Sequence, residues 1–254
     1  MKLNFIEVGF GKPMVILHGL FGSLDNWMTI ARRFAKNHQV FLVDQRNHGK
    51  SGHADEHTYA AMSEDLLQFF EDRDLSNVVL VGHSMGGKTA MQFAIDYAEK
   101  LDRVVVVDIG PQGYEVHHDH IIRSMQSLDL DKITSRKEAE EELANMIELN
   151  TTRQFLLKNL YRTNSEDGSA KYAWRFNLEA IANEIEEVGL PMQGNCDLPM
   201  LFVRGEQSNY LKVEQLDDIR KQFPNSDLVS LNAGHWVHAE DPDGLYEAIT
   251  NFSK

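Results

Sequence analysis

Short runs of apolar, mostly β-branched residues recur along the chain, separated by longer stretches whose apolar positions return every three or four residues. Runs of four to eight such residues bounded by turn formers read as strands, and the longer amphipathic stretches read as helices. The alternation predicts βα units feeding a mostly parallel sheet with helices on both faces. Strands are expected at residues 3–8, 14–17, 40–43, 78–81, 103–107, 200–203 and 227–231. Helices are expected at 25–36, 59–73, 87–98, 213–222 and 242–252. Val78-Val79-Leu80-Val81 and Val104-Val105-Val106-Val107 are apolar at every position, as strands covered on both faces should be, and belong in the sheet centre.

The pattern breaks between residues 112 and 197, a helical and acidic stretch without a convincing strand. Turn signals stand at Glu166-Asp167-Gly168-Ser169 and Gly189-Leu190-Pro191. This stretch is expected to be a helical cap (112–197) inserted into a core made of 1–111 and 198–254. No internal repeat or low-complexity segment interrupts the chain.

Composition narrows the class. The 254 residues are 42% apolar, enough for one large α/β domain with an insertion. A formal charge of -14 disfavours nucleic acid and anionic membrane surfaces as partners. No apolar run of spanning length occurs, and residues 1–7 do not read as a secretory signal, so a soluble, cytoplasmic protein is expected. Cys196 is the only cysteine, which forbids an intramolecular disulfide and fits a reducing compartment.

The candidate chemistry centres on Gly82-His83-Ser84-Met85-Gly86, a G-x-S-x-G pattern between an expected strand and an expected helix. At such a turn a serine hydroxyl is pushed out of the sheet as a nucleophile, beside the free amides of a helix start. The bland reading is a Gly-Ser loop, so the accompanying residues must carry the case. His235, in Ala233-Gly234-His235-Trp236 after the last expected strand, suits a general base. His18-Gly19-Leu20-Phe21-Gly22 follows an earlier strand, and the Leu20 amide pairs with that of Met85 as an expected oxyanion hole.

Two carboxylates compete to orient the histidine. In this architecture the acid usually stands in the turn after the strand at 200–203, but that turn reads Gly205-Glu206-Gln207-Ser208, with serine where aspartate is expected. Glu206 is one substitute. Asp108, in Val107-Asp108-Ile109-Gly110-Pro111 at the end of an earlier strand, is the other and is preferred.

The elbow, the 18–23 loop, Asp44-Gln45-Arg46-Asn47-His48-Gly49-Lys50-Ser51 and the terminal Gly234-His235-Trp236-Val237-His238-Ala239-Glu240 together resemble the α/β-hydrolase superfamily. More narrowly, they are similar to the small bacterial YbfF-type carboxylesterases and their mitochondrial relatives. The similarity runs over nearly the whole chain and is strongest outside the cap, where Trp174-Arg175-Phe176-Asn177 also matches a short motif. The resemblance implies an acid 24 residues past the serine, which is Asp108. It departs at the N-terminus, where a single strand is expected before Met14 and the usual first edge hairpin is absent or shortened.

The implied activity is cleavage of carboxylic esters, or of acyl-thioesters, through an acyl-enzyme on Ser84, with no metal or organic cofactor. A small-molecule acyl substrate is the expected partner, and oligomeric state stays open. His117-His118-Asp119-His120 is read as a solvated cap entrance, because adjacent residues cannot converge on one ion without partners elsewhere. Phe21, Trp174 and Trp236 are expected to shape the acyl pocket. Five basic residues against two acidic between 151 and 175 read either as helix surface charge neutralising the acidic first half of the cap or, more sharply, as Arg175, with Arg46 from the core loop, meeting an anionic substrate at the pocket mouth. A ligand receptor without turnover, a carbon–carbon bond hydrolase and a perhydrolase remain alternatives. Dehalogenases and epoxide hydrolases would need aspartate at position 84.

Overall fold

The computed structural model describes every residue except His117 and residues 165–169, so the expected Glu166–Ser169 turn and part of the histidine cluster lie outside the described residues. A seven-stranded sheet carries the chain. Its strands are β1 (Phe5–Gly9), β2 (Lys12–Leu17), β3 (His38–Val43), β4 (Val78–His83), β5 (Leu101–Val107), β8 (Met200–Gly205) and β9 (Ser226–Leu231). They lie in the order β1-β3-β2-β4-β5-β8-β9. Only β1 runs antiparallel, against β3, so a single edge strand stands before Met14 as expected.

Both central runs sit where their composition demands, β4 and β5 side by side in the middle of the sheet. Alternate residues serve opposite faces. Val78, Leu80, Val104 and Val106 meet Phe69, Phe70 and Phe93 on the side of α2 (Tyr59–Glu71) and α3 (Met85–Asp96). Val79, Val81, Val105 and Val107 meet Trp27, Ile30, Phe34, Leu245 and Ile249 on the opposite side, from the 3-10 turn Leu24–Trp27, α1 (Met28–Phe34) and α11 (Pro242–Phe252). A strand packed on both faces has no solvent position to mark with a polar residue, which is why alternation is missing from its sequence.

The segment between β5 and β8 holds α4 (Asp119–Gln126), α5 (Arg136–Ala144), α6 (Asn150–Leu157), α7 (Leu178–Asn183) and α8 (Ile185–Gly189). It also holds a hairpin that the hydrophobic pattern did not announce, β6 (Leu160–Asn164) paired antiparallel with β7 (Ala170–Trp174). Tyr161, Thr163, Tyr172 and Trp174 supply the aromatic and β-branched residues a strand favours. Interleaved arginine, lysine and asparagine hid the signal. A third apolar cluster joins this segment to the core loops, with Ile122, Met125, Leu156, Phe176 and Ile181 against Leu20, Phe21, Met62 and Met85. After β8 the chain adds α9 (Leu216–Gln222) and the short α10 (Val237–Glu240).

Candidate active site

Ser84 stands between the end of β4 and the start of α3 with φ of 52° and ψ of -119°, a positive-φ conformation that non-glycine residues avoid. The turn is forced by close packing. A Cβ on Gly82 would lie 2.0 Å from the Gly86 carbonyl oxygen, and one on Gly86 would lie 2.6 Å from the His18 carbonyl oxygen. Glycine at both positions lets strand and helix cross closely enough to aim the serine outward. Asp108 (φ 51°) and Phe21 (φ 57°) also take positive φ, and such residues persist where their surroundings over-determine them.

A hydrogen-bonded chain runs from the serine. Ser84 Oγ lies 3.1 Å from His235 Nε2, and His235 Nδ1 lies 2.8 Å from Asp108 Oδ2. Asp108 is fully buried and accepts two further bonds, from the Gly205 amide at 2.9 Å to Oδ1 and from the Ser208 hydroxyl to Oδ2. Glu206 is exposed, and its backbone amide donates to the Leu231 carbonyl. The structure therefore brings Asp108, and not Glu206, to the histidine. Ser208, in the turn after β8 where this architecture usually carries the acid, donates to Asp108.

Several groups that sequence reasoning missed hold this chain in place. His83 Nε2 donates to the His235 carbonyl at 2.8 Å, fixing the loop that carries the candidate base. Burial drives the His83 pKa well below its ordinary value, with His235 and His238 adding to the effect. Tyr210 stacks on the His235 ring at 4.3 Å. The Phe21 amide donates to His48 Nε2 at 3.1 Å, so His48 must be neutral there, and burial lowers its pKa in the same sense. Asn159, buried in the segment between β5 and β8, donates to the Phe21 carbonyl at 2.7 Å. The one advance signal was the Trp174-Arg175-Phe176-Asn177 motif, since the Arg175 amide bonds to Asn159 and the Asn177 amide bonds to Asn47.

The amides of Leu20 and Met85 have no hydrogen-bond partner among the described residues, as an oxyanion hole requires. Two cavities meet at Ser84. One of 140 Å³ is lined by Phe21, Ile121, Phe155, Leu156 and Trp236 together with Leu20 and His235; the other, of 40 Å³, by Tyr59, Met85, Tyr114, Val116 and Val188. Phe21 and Trp236 therefore lie at the cavity beside Ser84.

The structure does not bring Arg46, Trp174 or Arg175 to either cavity. Arg46 is buried and held by Asp65, 2.7 Å from Nε, with Glu56 at 3.4 Å, because a buried guanidinium needs carboxylate partners. Trp174 stacks on Phe176 at 5.3 Å. Arg175 lies over the Tyr161 ring at 4.9 Å and lines a separate groove. Among the described residues no cluster of histidine, cysteine and carboxylates is arranged to hold a metal ion, and no helix is long and apolar enough to cross a membrane.

Comparison with known proteins accords with this architecture. Residues 12–242 match the family described as alpha/beta hydrolase fold. The chain is 35% identical to esterase YbfF of Escherichia coli over 244 residues, 95% of this chain and 92% of that one. It is 39% identical over 253 residues to the sn-1-specific diacylglycerol lipase ABHD11 of Xenopus laevis, covering 95% of this chain and 80% of that one. A solved marine microorganism esterase superposes with a TM-score of 0.94 at 38% identity, over 99% of both chains. With a family match over most of its length and relatives this similar, the chain belongs to the α/β-hydrolase family.

Proposed function

We propose that this protein hydrolyses carboxylic esters, with acyl-thioesters as a second substrate class, through an acyl-enzyme on Ser84. The observation that carries the reading is the Ser84–His235–Asp108 chain at the junction of two cavities. His235 Nε2 takes the Ser84 proton as Oγ adds to the acyl carbonyl carbon. The carbonyl oxygen becomes an oxyanion facing the Leu20 and Met85 amides, while Asp108 stabilises the imidazolium through Nδ1–H. As the carbon–oxygen or carbon–sulfur bond breaks, His235 returns the proton to the leaving group. Water, deprotonated by His235, then adds to the acyl-enzyme, and collapse releases the acid and restores Ser84.

Residues 112–197 act in this reading as a cap whose apolar lining excludes water and holds the substrate across Ser84, its two halves in the two cavities. The relatives named as esterases and lipases support the same activity. The test is fluorophosphonate labelling followed by turnover of a p-nitrophenyl ester, with Ser84→Ala beside the parent. Labelling at Ser84 with steady turnover is expected. Labelling without turnover of any ester would instead support a ligand receptor, and labelling that survives Ser84→Ala would remove Ser84 from its role.

A further inference from the structure

A groove of 500 Å³ lies beside the candidate active site, lined in part by Lys50, Arg136, Lys158 and Arg175. These four come from separate places: the loop after β3, the first turn of α5, the end of α6 and the residue after β7. Asn26 lines both this groove and the 140 Å³ cavity at Ser84, so the two are neighbours along the seam between core and cap.

The charge there opposes that of the molecule. The chain has 39 acidic and 25 basic residues, and elsewhere cations such as Lys12, Arg33, Lys132 and Lys221 are paired with carboxylates. None of the four groove cations forms an ion pair with a described carboxylate. Arg136 donates to the Leu157 carbonyl, and Arg175 packs over Tyr161. Two carboxylates also line the groove, Asp25 and Asp44. Asp44 is already occupied, Oδ1 by the Leu24 amide at 2.8 Å and Oδ2 by Asn4 Nδ2 and the Lys50 amide. Four cations against these two carboxylates leave the groove with a net positive lining in a molecule of formal charge -14, and the repulsion among the cations is relieved when an anion enters.

We propose that this groove binds a phosphate group on the part of the substrate remote from the scissile ester, which makes a phosphate-bearing ester or thioester the preferred substrate class. The inference rests on the ester-hydrolase reading for its link to Ser84. Phosphate fits better than carboxylate because its three terminal oxygens accept from several directions at once. Here the cations come from four places in the chain and two of them are guanidinium groups.

The first arm is isothermal titration of the parent protein with inorganic pyrophosphate at low salt. Binding near one equivalent is expected, weakened at least about tenfold in the double variant Lys158→Ala/Arg175→Ala, as loss of two charge-assisted contacts implies. Lys36→Ala, which removes an exposed charge elsewhere, is expected to bind as the parent does. Absent binding, or equal binding by the double variant, overturns the site.

The second arm compares kcat/KM for three esters sharing one acyl group, whose alcohol ends are neutral, carboxylate-terminated or phosphate-terminated. The phosphate ester is expected to lead, with its advantage over the neutral ester lost in high salt and in the double variant. A leading carboxylate ester would overturn the phosphate assignment. Pyrophosphate binding with an unchanged phosphate-to-neutral ratio would overturn the substrate claim. Binding retained with no turnover of any ester would overturn the hydrolase reading while leaving the groove as an anion site.

Discussion

Replacing Asp108 by asparagine asks which carboxylate orients the base. The carboxylate is fully buried and accepts three hydrogen bonds, with His235 Nδ1 and Ser208 Oγ on Oδ2 and the Gly205 amide on Oδ1. An amide cannot reproduce this. With its NH2 group in the place of Oδ2, two donors face a donor; with it in the place of Oδ1, the Gly205 amide does. The first arrangement forces the neutral imidazole to present Nε2–H to Ser84, which removes its ability to accept the serine proton. Both arrangements lose the negative charge that stabilises the imidazolium. An error of this kind costs about 10⁴ in kcat, or about 5 kcal/mol of transition-state stabilisation.

Ser208→Ala deletes one donor and leaves the other two, so the expected loss is about 2 kcal/mol of folding stability and less than about a hundredfold in kcat. Glu206→Gln, at an exposed side chain, should change kcat by less than about twofold. The assay is single-turnover and steady-state hydrolysis of a p-nitrophenyl ester, with circular dichroism to show that each variant folds. Should Glu206→Gln cost as much as Asp108→Asn, the assignment of the acid, and the reasoning from burial and geometry, would be refuted.

Ser84→Ala should abolish turnover and fluorophosphonate labelling with a melting temperature within a few degrees of the parent, since the hydroxyl faces the cavities; retained turnover would contradict this. Asn159→Ala should lower kcat about tenfold or more with a smaller change in KM, because it frees the Phe21 carbonyl beside the Leu20 amide; an unchanged kcat would show that the loop is held without it. Stability should fall as pH drops below 6.5. Burial lowers the pKa of His57 to about 3 and of His238 to about 4, and also lowers those of His18, His48 and His83. A histidine depressed in the folded state stabilises fully above its unfolded pKa, and the contribution is lost as pH falls toward the folded value. Urea midpoints between pH 7.5 and 5 read the slope, and His57→Gln should flatten it; a midpoint independent of pH would refute the argument.

The sheet was legible because its strands are punctuated and its central pair is apolar throughout, leaving helices on both faces as the one way to bury it. Helix starts were less legible. The stretch expected from residue 25 begins as a single 3-10 turn, Leu24–Trp27, before α1, and the stretch from residue 213 does the same before α9. The β6–β7 hairpin escaped because alternating aromatics were diluted by charge. Arg46 was misread for a related reason: sequence shows that a guanidinium exists but not that Asp65, nineteen positions on, holds it. Ser84, His235 and Asp108 were legible through their local turns, whereas His83, His48 and Asn159 act through contacts between distant segments that no local pattern encodes.

The proposed placement of the acid at Asp108 is consistent with strand geometry. β5 and β8 are parallel neighbours, with Val107 opposite Val203, so the turns after them start about 5 Å apart on the same edge of the sheet. A carboxylate moved from the later turn to the end of β5 travels one strand spacing and can still reach an imidazole above that edge. Asp108 has a positive-φ backbone there, and its amide bonds to the Val203 carbonyl, tying the proposed acid to the neighbouring strand. The vacated turn then faces a buried carboxylate rather than a histidine, and a donor is what that environment requires. Ser208 supplies it. On this account Ser208→Asp should not restore activity to Asp108→Asn: the carboxylate introduced in the later turn would accept from the new amide's NH2 in the place of Oδ2, which leaves Oδ1 to the Gly205 amide but keeps that NH2 against His235 Nδ1. Recovery to within about tenfold of the parent, which regains about three of the roughly four decades lost, would show instead that the two turns are interchangeable.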